Sequence, residues 1–267
     1  MAVTFDDATA LTPGEDGAFD GAIADGWNTP VGPLGGYVMA IVLRGMQAAV
    51  ADDARQPRSF TVHFLRPPHP GPVTVRPTIE RTGRTLASVT ARLEQDGKLI
   101  ALAVGAFSTP WESPLLEDAP MPQVEPADQS RPPARLVAAT ETPQPPPFTE
   151  KVTLQRRFGD PPFSGAARAE IGGWLALREH RPVDALALCV LADAWFPAPW
   201  PRLKALAPAP TVDLTIHFRA PEVVHEWPAL VRFRSRFAHG GFFEEDGEIW
   251  SADGRLLAQS RQLGLMT

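Results

Sequence analysis

Several features that mark whole classes of protein are missing from this sequence. It has one cysteine, Cys189, so it cannot form an internal disulfide bond, and this favours a reducing compartment. Its formal net charge is −6 and it has no block of basic residues, which argues against general nucleic-acid binding. The apolar stretches fall short of the roughly 20 residues that a membrane-spanning helix needs, and Arg44 and Asp193 interrupt them.

The N-terminal residues MAVTFDDATA contain neither the basic nor the apolar region of a secretory signal. Together these absences predict a cytoplasmic protein that binds neither nucleic acid nor membranes. The six histidines are not spaced as metal ligands, and no G-x-S-x-G occurs. Cys189 lies in the apolar run ALALCVLAD, which favours a place in the core over a role as nucleophile. We therefore expect no metal and no cofactor.

What the sequence does contain is a repeat. The segment FTVHFLRP at 60–67 is echoed by LTIHFRAP at 214–221. Further on, EQDGKLIALA in the first half matches SADGRLLAQS in the second. In both copies a D-G pair separates two alternating runs, which is typical of a tight hairpin turn. Such self-similarity predicts two structural copies of one unit.

A long apolar stretch precedes the FTVHF-like strand in each copy. These stretches, 35–50 and 182–196, are rich in alanine and leucine, are too long for strands and are apolar nearly all round. They predict buried helices. Each half then consists of a strand, a buried helix and about four antiparallel strands. A sheet wrapped around one apolar helix is the hotdog arrangement, so the sequence predicts an α+β double hotdog fold, with two unrelated α+β domains as the alternative.

Proline marks the predicted boundary between the halves. Residues 110–147 hold 11 of the 30 prolines, and proline neither continues a helix nor donates to a strand ladder. We predict a first hotdog repeat at 1–109, a proline-rich linker at 110–149 and a second repeat at 150–267.

Short motifs in both halves resemble those of acyl-CoA thioesterase II-like proteins. SFTVHFLRP, the Gly-Gly pair that opens the first helix and QDGKLIALAVGAFS resemble the first half of the family. VLADAWF, TVDLTIHFRAP and DGRLLAQSRQLGLM resemble the second half. The resemblance implies hydrolysis of acyl-CoA to a carboxylic acid and coenzyme A, within fatty acid and lipid metabolism.

The resemblance also implies which residues are catalytic. In the family, an Asp in the second buried helix, a hydroxyl that opens a strand and a Gln in the last strand act together, and they match Asp193, Thr211 and Gln262. One departure concerns Thr61, where well-known members have a histidine; His63 cannot be assumed to replace it. This departure bears on substrate range and rate.

Each candidate catalytic residue could also have a purely structural role. An apolar wall would raise the proton affinity of Asp193 toward that of a general base, although a carboxylate at a helix end also occurs at surfaces. Thr211 could hydrogen-bond the attacking water, or it could be an ordinary strand residue. The Gln262 amide could accept from that water and donate to Asp193, or it could face solvent.

The first helix opens with Gly35, Gly36 and Tyr37, and its free N–H groups could hold an oxyanion. The two glycines could equally serve close packing. Trp195 and Phe196 could line an acyl pocket or merely pack. The alternating arginines of VRFRSRF, at 232, 234 and 236, could hold coenzyme A phosphates, but a hydrated outer face explains them better.

Three functions remain open from the residues. Acyl-CoA hydrolysis is the first. A hotdog hydratase or dehydratase needs an Asp and a His close together at the start of a buried helix, and neither helix has them. A non-catalytic acyl-CoA-binding protein would keep the tunnel without needing Asp193, Thr211 and Gln262 together. Because hotdog sheets have open edges, we also expect a homodimer or larger homo-oligomer.

Overall fold

The computed structural model describes residues 3–128, 145–220 and 228–266. The first half contains helices α1 (Phe5–Ala8) and α2 (Gly35–Val50) and eight strands: β1 (Thr12–Pro13), β2 (Phe19–Ile23), β3 (Asn28–Thr29), β4 (Gly32–Pro33), β5 (Gln56–Phe64), β6 (Gly71–Thr82), β7 (Leu86–Gln95) and β8 (Lys98–Ser108). The second half contains α3 (Ala185–Leu191) and seven strands: β9 (Val152–Phe158), β10 (Glu170–Leu177), β11 (Thr211–Phe218), β12 (Ala229–Arg234), β13 (Ala238–His239), β14 (Phe242–Trp250) and β15 (Leu256–Leu265).

Thirteen of these strands form one continuous antiparallel sheet. Its order is β1-β2-β6-β7-β8-β5-β11-β15-β14-β12-β10-β9, with β13 paired to β14. The two copies of the repeated strand, β5 and β11, lie side by side at its centre, with Thr61 opposite Thr215. Their side-chain hydroxyls are 2.9 Å apart and hydrogen-bonded. The predicted double hotdog fold is confirmed.

Helices α2 and α3 lie inside the sheet and pack against each other, within one cluster of buried side chains that includes both halves. The first helix spans the predicted residues 35–50. The second is shorter than predicted, because only Ala185–Leu191 are helical. Its last turn tightens, since the N–H groups of Asp193 and Ala194 both donate to Val190 O. Asp193 therefore lies beyond the helix, and not within it as the sequence suggested.

The D-G hairpins differ between the copies. Asp96 and Gly97 both have positive φ, 50° and 70°, which is the two-residue turn that matches the twist of β7 and β8. In the second copy only Gly254 of the D-G pair has positive φ. There the Asp253 side chain accepts a hydrogen bond from Ser251 Oγ inside a longer loop.

The predicted linker is only partly within the described residues, since 129–144 lie outside them. Residues 110–128 form neither helix nor strand, and their later part crosses the second half. Met121 and Val124 pack against a small apolar cluster that includes Trp174 and Trp250. The indole N–H groups of these two tryptophans donate to backbone carbonyls of the same segment. The domain boundaries at 109 and 150 stay a prediction.

Candidate active site

Asp193 lies where the two halves meet. Its Oδ2 accepts a hydrogen bond of 2.7 Å from the backbone N–H of Gly36, at the start of α2 in the other half. The two helices approach closely here, since a Cβ atom added to Gly36 would lie 2.9 Å from Val190 Cα and would overlap Cys189 O. Gly36 therefore serves both packing and the hydrogen bond to Asp193.

The electrostatics of Asp193 depend on both helices. A carboxylate just past the C-terminus of α3 is disfavoured by that helix dipole, whereas the N-terminus of α2 carries the opposite partial charge. Burial raises the pKa of Asp193 above its usual value, and the backbone N–H groups of Gly36 and Gly35 lower it in part. A raised pKa means a raised proton affinity, which is what a general base requires.

Thr211 and Gln262 are in direct contact on neighbouring strands. Thr211 Oγ1 donates to Gln262 Oε1 over 2.9 Å, and Gln262 Nε2 donates to Glu245 Oε1 over 2.6 Å. The second oxygen of Glu245 accepts from Ala198 N over 2.5 Å. The expected partner for the Gln262 amide was Asp193, but its observed partner is Glu245.

Glu245 is the site residue that the sequence analysis missed. It is 5% exposed, and the negative charge of Asp193 is near enough to contribute to its raised pKa. Glu245 therefore lies close enough to Asp193 to sense its charge and is hydrogen-bonded to Gln262. The available signal was the alternation in FFEEDGEI, which places Glu245 on the same face as Phe243, Gly247 and Ile249.

The helix-opening residues differ in what their polar groups contact. The N–H groups of Gly35 and Gly36 face Asp193. The Tyr37 N–H donates to Leu34 O. The Tyr37 hydroxyl accepts from Ala24 N and donates to Ala8 O, and burial raises its pKa to about 12.

The predicted acyl-pocket residues follow Asp193 directly. Trp195 is buried, and its ring centroid is 6.1 Å from that of Phe196. Phe196 in turn stacks on Trp200 at 6.4 Å. The Trp195 indole N–H is buried and has no hydrogen-bond partner within the described part of the chain.

Two other candidate residues lie on the outer face of the sheet, and a third is in the core. Thr61 is on the opposite face of β5 from the buried Phe60 and Val62, and His63 is exposed on the same face as Thr61. The position where relatives carry a histidine is therefore on the outer face of the sheet. Cys189 is fully buried, and burial raises its pKa well above that of a free thiol.

The alternating arginines of β12 and the segment after it also face outward. All three form ion pairs with carboxylates of β14: Arg232 and Arg234 with Glu248, at 2.8 and 3.0 Å, and Arg236 with Asp246, at 2.6 Å. Within the described ranges, no three His, Cys, Asp or Glu side chains are grouped so that they could hold a metal ion. None of the helices in those ranges combines the length and the apolar character needed to cross a membrane.

The fold and the junctional carboxylate define a double hotdog protein with a partly buried acid, Asp193, where its repeats meet. Two family models match the chain, the acyl-CoA thioesterase N-terminal domain over residues 23–108 and the acyl-CoA thioesterase C-terminal domain over residues 122–266. The chain belongs to this thioesterase family, and it is a thioester hydrolase.

Individual relatives agree with this assignment. The chain is 28% identical to acyl-CoA thioesterase 2 of Haemophilus influenzae over 252 residues, 87% of each chain. A hotdog-fold protein from Alicyclobacillus acidocaldarius is 30% identical with a TM-score of 0.86, covering 98% of this chain and 97% of that one. A putative thioesterase II from Thermobifida fusca is 27% identical with a TM-score of 0.82, over the same shares of the two chains.

Proposed function

We propose that this protein hydrolyses acyl-CoA to a free carboxylic acid and coenzyme A, with Asp193 as the general base. The observation that carries this proposal is the position of Asp193, a partly buried carboxylate of raised pKa held by the start of α2. In this proposal Asp193 acts on one water molecule together with the Thr211 hydroxyl and the Gln262 amide, which are groups that can bind and direct water.

In the proposed reaction, the water oxygen attacks the thioester carbonyl carbon and its proton passes to Asp193. The C–S bond then breaks, and the coenzyme A thiolate leaves with the proton that Asp193 returns. Thr211 and Gln262 orient the water, so that its lone pair points at the carbonyl carbon. The N–H groups of Gly35 and Gly36 and the positive end of the α2 dipole offset the negative charge that develops at the site.

The acyl chain is proposed to lie along Trp195 and Phe196. These aromatic side chains follow Asp193 and supply a large apolar surface. The Trp195 N–H has no partner among the residues that the structure describes, and this supports a ligand or water on that side of the ring, since buried donors are normally satisfied.

The experiment is thiol release from a panel of acyl-CoAs by the unmodified protein and by Asp193→Asn. Asparagine keeps the size of the side chain but cannot take a proton, so hydrolysis should fall by roughly 10²–10⁴-fold. Acyl-CoA binding should change much less, because the acyl chain and the helix N-terminus provide the contacts. Activity of the unmodified protein should fall as the pH drops through the pKa of Asp193.

Asp184→Asn is the matched control, because it makes the same change at the other end of α3. Asp184 caps that helix by accepting from Ala187 N, and asparagine caps equally well. This control should keep full activity. An Asp193→Asn protein that is folded and hydrolyses acyl-CoA at the unmodified rate would overturn the assignment. Tight acyl-CoA binding without thiol release by the unmodified protein would indicate a non-catalytic binding protein.

A further inference from the structure

Glu245 differs from the other acidic residues of its strand. Glu244, Asp246 and Glu248 point outward and pair with arginines, as on an ordinary hydrated face. Glu245 points inward, and no Lys or Arg side chain of the described residues is within ion-pair distance of it. A buried carboxylate without a basic partner is costly, so its position calls for a reason beyond packing.

Both oxygens of Glu245 are used as acceptors, one from Ala198 N–H and one from Gln262 Nε2. An ionised carboxylate can only accept hydrogen bonds. The Gln262 nitrogen must therefore face Glu245, and the Gln262 oxygen must face Thr211. The Thr211 hydroxyl hydrogen is in turn committed to Gln262 Oε1. Glu245 thus sets the direction of the hydrogen bonds that connect it, through Gln262, to Thr211.

We propose that Glu245 is a positioning residue for thioester hydrolysis, because it makes Thr211 meet the attacking water as a hydrogen-bond acceptor. The inference rests on the proposed function. The water then donates one hydrogen to Asp193 and the other to Thr211 Oγ1, and both of its lone pairs stay free, one of them for the carbonyl carbon. Glu245 acts through Gln262 and does not itself touch the water.

The substitution Glu245→Gln reverses the direction of these hydrogen bonds and keeps the length of the side chain. The Ala198 N–H can only donate, so the new amide oxygen faces it and the new NH₂ faces Gln262. Gln262 must then turn and present its own NH₂ to Thr211. The Thr211 hydroxyl becomes a donor to the water, which turns the water away from its reactive orientation and makes its oxygen less nucleophilic.

Protonation of Glu245 has the same effect, since a carboxylic acid donates where the carboxylate accepted. Burial and the charges of Asp193 and Glu244 raise the pKa of Glu245 to about 7, while the bonds from Ala198 and Gln262 lower it in part. Activity of the unmodified protein should therefore decline as the pH falls through about 7. In Glu245→Gln this decline should vanish, and only the titration of Asp193 should remain.

The kinetic test compares the unmodified protein, Glu245→Gln and the matched control Glu248→Gln with one acyl-CoA. We expect Glu245→Gln to lose roughly 10- to 100-fold in kcat with KM within about twofold, because the water is misoriented while the substrate contacts persist. Glu248→Gln, on the outer face, should match the unmodified protein in both parameters. An unchanged kcat, or an unchanged pH profile, in folded Glu245→Gln would overturn the proposal.

A second measurement is independent of activity. The side-chain NH₂ signal of Gln262, identified by its loss in Gln262→Ala, can be followed by NMR as the pH is varied. The signal should shift with pH as Glu245 titrates. The same shift should occur in Glu248→Gln and should be absent in Glu245→Gln. A Gln262 signal insensitive to pH in the unmodified protein would overturn the role of Glu245. If the unmodified protein released no thiol, the proposed function and the role of Glu245 in catalysis would both be overturned. A Gln262 signal that titrates would still establish the direction of the hydrogen bonds from Glu245 to Thr211.

Discussion

At the scale of single residues, the candidate site contains two acidic side chains, the partly buried Asp193 and the buried Glu245. Asp193 is held by backbone N–H groups from the first half, and Glu245 by Ala198 and Gln262 of the second. Each raises the electrostatic cost of ionising the other, and burial adds to that cost. Their shared position therefore lowers stability at the pH at which both are ionised.

This cost predicts a pH-dependent stability for Glu245→Gln. The pKa of Glu245 is raised from 4.5 to about 7 in the folded state, so its protonated form contributes stability below pH 4.5 that is lost as the pH rises through about 7. Glutamine never ionises. The stability of Glu245→Gln relative to the unmodified protein should thus rise by up to roughly 3 kcal/mol between pH 4.5 and pH 8.

Chemical denaturation at the two pH values measures this difference. Glu248→Gln, whose carboxylate is paired with arginines on the outer face, should show no comparable change. A Glu245→Gln protein that loses stability relative to the unmodified protein as the pH rises would contradict the prediction and indicate a structural role for the charge.

At the scale of elements, the site depends on how closely α2 approaches α3. The start of one helix meets the end of the other, so that the favourable end of the α2 dipole faces an anion placed at the unfavourable end of α3. Only glycine permits this approach at position 36, where a side chain would meet backbone atoms of α3.

The two neighbouring glycines make a matched pair for testing this contact. In Gly36→Ala the new methyl group would lie 2.9 Å from Val190 Cα, and the helices must separate, which should destabilise the protein by about 1–3 kcal/mol. In Gly35→Ala the methyl group meets only side-chain atoms of Asp193 and Phe64, each at 3.1 Å, and these can move.

Stability of Gly35→Ala should stay within about 1 kcal/mol of the unmodified value, because alanine also favours the helix. Equal losses in the two variants, measured by urea denaturation, would contradict the proposed helix contact.

At the scale of the whole molecule, the residues of the candidate site come from both halves. Gly36 belongs to the first half, whereas Asp193, Glu245 and Gln262 belong to the second. The core cluster also includes side chains from both halves, and β5 pairs with β11. We expect residues 150–267 expressed alone to aggregate or to be inactive, as measured by gel filtration and thiol release. A stable and fully active fragment would show that the site does not need the first half.

The outer face of the sheet leads to a prediction about assembly. Val104, Leu86 and Ile79 are 58%, 45% and 39% exposed on β8, β7 and β6, and the sheet as described ends at β1 and β9. Exposed apolar side chains and open strand edges favour pairing of copies. We expect a homodimer or larger homo-oligomer by light scattering at micromolar concentration, and a monomer there would refute this.

The sequence by itself determined the repeat, the first helix and the positions of the two D-G turns. These follow from local patterns, since apolar periodicity and turn residues act over a few positions. The family was inferred from the resemblance of short motifs. The sequence also indicated Asp193, Thr211 and Gln262 as site residues, on the strength of the resemblance. It overextended the second helix, because the apolar run continues past Leu191 while the backbone turns at Val190 to bring Asp193 toward α2.

Only the tertiary structure decided which groups meet. The contact between Gly36 and Asp193 joins residues 157 positions apart, and the dipole of α2 offsets a charge that the sequence around Asp193 leaves without a partner. The alternation along β14 puts Glu245 on one face but does not say that Gln262 lies opposite, because strand register comes from the folded sheet. Partners that lie far apart in the chain are chosen by packing, and packing exists only once both halves have folded together.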